Sequence, residues 1–338
     1  MGNVNFVGVD DGHYSVKIVT DKGCFSFPSR AKQGRHVINT KEQNAGMYET
    51  EEGRTYTVNG SITDPQETRF DEYPSSQLNR VLVHHGLVKA GLAGKKVVLA
   101  TGLPFDSYYI KGERNTPLIS KKTQNLSKSV TADGVDMATV AHNMVTTEGI
   151  AAYMDQLMDM RGTPTAECKR LMSSTVGVID IGGHTTDVAV MLPQDIDSDG
   201  GVVVDVARSG SVKIGLLMLN DMLTKKLIEQ FDLSYLAPME VEKAIRTGEI
   251  DMDGATHDLT DLVNEQKKLV MDQIHDGISS HIGSGRELGR IIIVGGGSIV
   301  LKNELKKIYP NAIFAEEPEF ANARGMYKIA RYVSGYGG

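Results

Sequence analysis

Tryptophan is absent from this chain of 338 residues, and cysteine occurs only twice, at Cys24 and Cys168. Two thiols so far apart in sequence offer neither a disulfide framework nor a cysteine-rich metal motif, which makes a reducing cytosol the simplest setting. No run approaches the ~18–20 apolar residues that span a bilayer, and the opening MGNVNFVGVDDGH has no basic leader. A cytoplasmic protein with no membrane partner is expected. An excess of positive charge is lacking too: 36 basic and 43 acidic side chains give a formal charge of −7, which removes the global electrostatic argument for direct nucleic-acid binding. The remaining composition, 40% hydrophobic and 23% charged, gives no reason to expect extensive disorder.

What is present is organised around Val176–Leu192, VGVIDIGGHTTDVAVML. β-Branched residues run almost continuously on both sides of a polar turn, which predicts strands buried on two faces. Glycine in the turn lets the backbone approach a ligand, successive amides can face phosphate oxygens, and an adjacent acid can hold a hydrated metal ion. Taken alone, the stretch fits a tight hairpin between core strands equally well. The same grammar occurs at the start of the chain: a strand over Asn5–Asp10, a turn through Ser15, and a returning strand over Val16–Thr20 that carries Lys17. Here too a phosphate-facing turn and an exposed hairpin with a surface lysine are both open. A third apolar strand, in GRIIIVGGGSIV (Gly289–Val300), runs into Gly295, Gly296 and Gly297, whose missing side chains favour close approach to a base, sugar or phosphate.

The intervening segments are read more coarsely. Residues 21–75 are irregular, with strand candidates at Gly23–Pro28 and Arg54–Val58. Gln77–Ala90 has helical periodicity, and its adjacent His84 and His85 point apart, which suits packing better than metal ligation. Lys96–Thr101 predicts a strand ended by Gly102, Leu103 and Pro104. Tyr108–Leu118 reads as a connector, followed by a polar and basic stretch through Lys128; the lysines between Lys111 and Lys128 read as a solvated face, open to an acidic partner. After a strand at Val140–Val145, Thr147 is a candidate cap for a helix reaching Met160. Glu148 in its first turn serves either the helix dipole or a water molecule at a phosphate. Further helices are expected at Leu216–Phe231, from near Pro238, over Thr260–Ile282, at Glu304–Ile308 and over Phe320–Val333.

Neither glycine region follows the P-loop pattern or the dinucleotide fingerprint. The chain exceeds the ~250–300 residues at which one core stops growing, so two lobes could bring the separated turns to opposite sides of a cleft. There, oriented amides and Mg²⁺ would meet transferring phosphate charge. In this order VGVDDGHYSVK (Val7–Lys17), VIDIGGHTTDVA (Val178–Ala189) and IIVGGGSIV (Ile292–Val300) resemble the first phosphate, second phosphate and adenosine segments of the actin, sugar-kinase and Hsp70 superfamily. Nearly the whole chain, including VHHGLVKAGL and NARGMYKIARYV, resembles the plasmid-partitioning actin-like ParM/StbA family within it.

The resemblance implies an α/β fold, a two-lobed actin/Hsp70/sugar-kinase-like ATPase with a central nucleotide cleft. Domain I would take residues 1–165 and 320–338, with a smaller appended lobe near 25–75. Domain II would take 166–319, with a peripheral segment near 232–260. It implies ATP or ADP with Mg²⁺, the ion organised by Asp10 and Asp180. Asp180 would also help activate water and Glu148 would orient it. Gly12, Lys17, Gly182, Gly183 and Thr185 would surround the phosphates, Asp187 would follow the second turn, and Gly295, Gly296 and Gly297 would line the nucleoside. His13 and His184 stand beside the phosphates where the family pattern has smaller residues. The implied activity is ATP hydrolysis that controls a self-assembled filament, with a centromere-bound adaptor as partner and plasmid DNA reached only indirectly. A small-molecule kinase of the superfamily, and a nucleotide-binding assembly protein with little turnover, are the alternatives.

Overall fold

The computed structural model describes residues 4–36, 46–194 and 201–335. Two five-stranded sheets of the same design carry the fold. The first runs, edge to edge, Thr139–Thr147, Lys96–Leu103, Asn5–Asp11, Ser15–Thr20 and Gly23–Pro28. The second runs Ile313–Phe314, Arg290–Val294, Val176–Ile181, Thr186–Met191 and Gly210–Val212. In each, the acid-bearing strand lies at the centre, parallel to one neighbour and antiparallel to its own hairpin partner. Every residue of Val176–Ile181 and Thr186–Met191 is buried, which explains their continuous rather than alternating apolar pattern. Register places Asp10 opposite Lys17 and Asp180 opposite Asp187, so each hairpin carries a polar pair next to its turn.

Separate cores back the two sheets. Val9, Ile18, Leu82 and Leu99 belong to the first, and Ile179, Leu219, Leu223, Ile274 and Ile278 to the second. A four-stranded sheet of Val130–Thr131, Met47–Thr50, Thr55–Val58 and Ala31–Gln33 sits beside the first core. Helix Gln77–Lys89 covers that core, and its cap Ser76 accepts from Asn79 N at 3.1 Å. His85 Nδ1 bonds Tyr48 OH at 2.8 Å, in line with a packing role.

The helix Glu148–Leu157 is capped as expected, with Thr147 Oγ1 accepting from Ile150 N at 3.1 Å. Against it lies the terminal helix Ala321–Lys328, which continues through a π-helical turn, Ile329–Val333. The terminal helix also rests on Asn5–Asp11 at backbone distance. A Cβ at Gly8 would stand 1.9 Å from Ala323 O, and one at Gly325 would stand 1.7 Å from Ala151 O. Next to this contact Asp155 pairs with Arg324 at 2.8 Å and with Lys328 at 2.5 Å, all three side chains being largely buried.

Some expectations need correction. The Lys96 strand runs on through Gly102 and Leu103, and Pro104 then caps the short helix Phe105–Tyr108. The presumed connector and polar stretch up to Lys128 contain a small hairpin, Tyr109–Ile110 with Glu113–Arg114, and a full helix, Thr116–Ser127. Asn115 caps that helix by accepting from Leu118 N at 3.3 Å. Its polar composition hid the helical signal, because one lysine read as solvated is a core group: Lys122 is 1% exposed and donates to Asp11 Oδ2 at 2.5 Å. A five-residue helix, Cys168–Met172, leads into the strand Val176–Ile181.

Candidate active site

The two acid-bearing turns, the Gly295 turn and the start of the Glu148 helix converge on one cleft between the two lobes. All the residues singled out from sequence line it except Asp187 and Gly297. Asp187 lies behind the wall, where it accepts from Thr185 Oγ1 at 2.9 Å, Phe105 N at 2.7 Å and Ser211 Oγ at 2.5 Å. It therefore anchors the second turn from the rear. Gly297 opens a short helix that presses on the Asp180 strand, since a Cβ there would stand 2.3 Å from Ile181 Cγ2.

Backbone geometry sets the shape of the cleft. Gly295 has φ +84°, and a Cβ on it would stand 2.2 Å from Asp180 Oδ1, so no other residue lets the third turn come so close to the acid. Gly102 makes room for Glu148 in the same way, with Glu148 Cγ 2.9 Å from where a Cβ would stand. The carbonyls of Gly182 and Gly183 accept from Leu216 N and Leu217 N at 3.0 and 2.8 Å. The first amides of helix Leu216–Gln230 are thus used to hold the second turn in place.

Across the cleft the two turns touch. A Cβ at Gly183 would stand 2.6 Å from Tyr14 Cβ, and the rings of His13 and His184 meet edge-on with centroids 5.0 Å apart. The two bulky departures from the family pattern thus pack on each other. Burial, then His184, lowers the His13 pKa to about 4, and burial foremost lowers that of His184. His13 Nδ1 carries its hydrogen toward Thr68 O at 2.9 Å. Both imidazoles are neutral near pH 7 and add no positive charge.

In the cleft the carboxylates Asp10, Asp11, Glu148 and Asp180 outnumber the two lysines, Lys17 and Lys122. Lys17 donates to Asp10 Oδ2 at 3.0 Å. Burial works against its ammonium, but the charge and hydrogen bond of Asp10 lift its pKa overall. Burial raises the Asp180 carboxyl to about 7, with Asp187 and Asp10 adding to the shift and the Asn322 hydrogen bond at 2.6 Å opposing it. Glu148 is driven well above the carboxylate range, first by burial and then by Asp187, Asp10 and Asp180. Among the described residues no group of three or more His, Cys, Asp or Glu forms a metal site complete in itself. Mg²⁺ does not require one, because it binds through one or two carboxylates and completes its octahedron with water and phosphate oxygens. A site short of cations, with Asp10 and Asp180 at its end and the buried Asn322 Oδ1 without a partner, fits such an ion together with a polyphosphate.

Among the cleft residues that sequence reasoning missed are Asp11, Tyr73, Lys122 and Asn322. Asp11 was visible as the second acid of Asp-Asp-Gly, but strand alternation turns it to the opposite side from Asp10, where Asn79 and Lys122 hold it at 2.6 and 2.5 Å. The others arrive from distant segments and left no local signal. Beyond the cleft, Arg30 pairs with Glu242 at 2.5 Å, Arg69 with Asp221 at 2.5 Å, and Tyr235 OH donates to Thr63 O at 2.8 Å, so the lobes are also joined at their outer ends.

Comparison with known proteins agrees with this architecture. A family model described as the N-terminal part of plasmid segregation protein ParM (StbA) matches residues 6–159, and one for the C-terminal part of the archaeal MreB-like actin homologue matches 178–307. Among solved structures, a non-polymerisable quadruple mutant of pCBH ParM is 21% identical, with 97% of this chain and 99% of that chain covered and a TM-score of 0.74. Ta0583, an archaeal actin homolog, is 19% identical at the same coverage and TM-score. A 15-stranded ParM filament from Clostridium botulinum is 20% identical, again over 97% and 99% of the two chains, at 0.72. No curated protein sequence matches the chain. Fold and cleft together define an actin-like protein of two lobes about a central cleft. Within that class residues 6–159 are similar to the plasmid-partitioning ParM (StbA) family and residues 178–307 to the archaeal MreB-like actin homologue.

Proposed function

We propose that this protein is an ATP-dependent, polymerising actin-like protein of plasmid DNA segregation, which hydrolyses ATP to ADP and phosphate to control filament stability. The observation that carries this reading is the convergence of Asp10, Asp180, Glu148 and Lys17 in one cleft. Supporting it, Ta0583 was solved in complex with ADP and the Clostridium botulinum ParM as a filament. The division into domains I and II given above is part of the proposal, as are an adaptor that bridges to plasmid DNA and a cytoplasmic location. No helix among the described residues is long and apolar enough to cross a membrane.

The triphosphate of ATP lies between the Gly12 and Gly182–Gly183 turns, with the nucleoside toward Gly295 and Gly296. Lys17 donates to phosphate oxygens, and Asp10 and Asp180 are the residues that would hold Mg²⁺. The ion supplies neutralisation of charge across the phosphates. With the negative charge of Asp10 and Asp180 offset in the loaded cleft, Glu148 ionises and accepts a hydrogen bond from the attacking water at its carboxylate. The water oxygen bonds to the γ-phosphorus while the bond to the bridging oxygen breaks, so that ADP leaves with the electron pair and the water proton passes to the phosphate product by way of Glu148. Sedimentation in ATP, ADP and no nucleotide tests the assembly claim: polymer with ATP that falls away as phosphate is released is expected. Monomer in all three states at high protein concentration would defeat it. ADP formation without polymer or free phosphate, dependent on an added small-molecule acceptor that becomes phosphorylated, would instead indicate a kinase.

A further inference from the structure

A second groove opens in the first lobe where the four-stranded sheet meets the start of helix Gln77–Lys89 and the helix Thr116–Ser127. In a chain of net charge −7 this groove gathers four cations, Arg54, Arg80, Lys121 and Lys128, against a single acid, Glu52. Arg80 is its built element. It is 1% exposed, its Nη2 donates to both Glu52 oxygens at 2.8 and 2.9 Å, and its Nε donates to Asn125 Oδ1 at 3.2 Å. Its Nη1 is buried and has no hydrogen-bond partner. A guanidinium nitrogen withdrawn from water without an acceptor is costly.

An ion pair that merely holds the sheet to the helix accounts for Nη2 and Glu52. Lys128 also donates to Glu52 Oε1, at 2.8 Å, but neither contact accounts for Nη1 or for the presence of Arg54 and Lys121 in the groove. Helix Gln77–Lys89 has 13 residues and no acid in its first turn. Arg80 stands there instead, at the end where the helix dipole favours an anion and disfavours a cation. Gln77 faces the same groove. Its side-chain oxygen accepts from Thr50 Oγ1 at 2.9 Å, which leaves its amide nitrogen as the group able to donate. Glu52 shows what the fork recognises, since Arg80 and the other hydrogen-bond donors hold its carboxyl down at about 2. A planar guanidinium, flexible ammonium groups and the start of a helix together form a donor set for an oxyanion with three or more acceptors.

We propose that this groove binds a small phosphate-class oxyanion, at Arg80 Nη1 with Lys121, Arg54 and Gln77 around it. The site lies in the first lobe apart from the nucleotide cleft and does not depend on the protein being an ATPase. The test is titration of the full chain with inorganic phosphate, first alone and then with the cleft filled by excess Mg²⁺ and ADP, followed by calorimetry and ³¹P line broadening at constant ionic strength. The Arg54→Gln/Lys121→Gln variant changes two exposed side chains and leaves the core untouched, so it keeps the test readable if Arg80→Lys fails to fold. Saturable phosphate binding that persists in ADP, and that weakens at least tenfold in the double variant, is expected. If the phosphoryl group arrives on a nucleotide, a second equivalent of ADP binds instead and is lost in the same variant. Binding that is indifferent to the double variant, non-saturating, or displaced equally by chloride overturns the proposal.

Discussion

Replacing Asp180 with asparagine isolates what the ligand-free cleft spends on its crowded acids. The change keeps the side-chain shape and an oxygen for Asn322 Nδ2, now 2.6 Å from Asp180 Oδ2, and it removes the charge. Burial, with Asp187 and Asp10 behind it, lifts the carboxyl from 3.8 to about 7. Because the folded value lies above the unfolded one, the stability contributed by the neutral carboxyl is complete below about pH 4 and disappears as pH rises through about 7. At ~1.4 kcal/mol per unit the full displacement corresponds to ~4 kcal/mol. Asp187 and Glu148 share the same repulsion, so the single change should recover ~2–4 kcal/mol, on the order of 5–10 °C in Tm. Calorimetric melting without nucleotide between pH 4 and 8.5 reads this directly. The two proteins should melt together near pH 4 and diverge upward, with the variant the more stable at pH 8. Adding Mg²⁺ and ATP should reverse the order, because only the natural protein then has the charge to bind the ion. Parallel melting profiles across the whole pH range would refute the electrostatic account of the cleft.

Other substitutions probe separate parts of the structure. Glu148→Gln should slow phosphate release by roughly 10²–10⁴-fold while leaving nucleotide binding nearly intact, as measured by single-turnover release beside equilibrium titration; an equal loss of both would assign Glu148 to binding. Asp155→Ala strands Arg324 and Lys328, both mostly buried, and should cost about 3–5 kcal/mol in denaturant unfolding. A cost under about 1 kcal/mol would show that this cluster is replaceable by water. Gly183→Ala sets a methyl group against Tyr14 Cβ at 2.6 Å, so the two turns must part; nucleotide affinity should fall while the melting temperature hardly moves, and unchanged affinity would mean that the turns need not meet. Glu242→Gln weakens its pair with Arg30 and should raise the nucleotide-free radius of gyration in X-ray scattering, whereas an unchanged radius would place the closing force elsewhere.

The three glycine turns were legible because their chemistry is local. A strand, an acid and a small turn follow one another in sequence, and the sheet merely repeats that order in space. Helix Thr260–Ile282 was readable for the same reason, as an uninterrupted amphipathic run. Lys122 shows where such reading ends. Its neighbours Lys121 and Thr123 mark it as surface, and only Asp11, from a strand more than a hundred positions away, makes it a buried partner. Asn322 likewise joins the cleft through a contact with Asp180, 142 positions earlier in the chain. Asp187 could be recognised as part of the second turn, but not its placement behind it, which depends on Phe105 and Ser211. Pattern reveals what a segment brings; its partners are set by topology.

The glycine-mediated seat of the terminal helix has a mechanical consequence. With Ala323 against Gly8 and Gly325 against Ala151 there is no layer of side chains to deform, so the helix, the first strand and the Glu148 helix turn as one body. They form a stiff pivot rather than a cushion. Movement confined to the connections around such a pivot is multiplied by the length of each lobe, and its greatest travel falls at the far ends, where Arg30 meets Glu242 and Arg69 meets Asp221. A small rearrangement at Glu148 would thus appear as a large one at the mouth of the cleft. A methyl group added at Gly8 would act as a wedge at the short end of a lever.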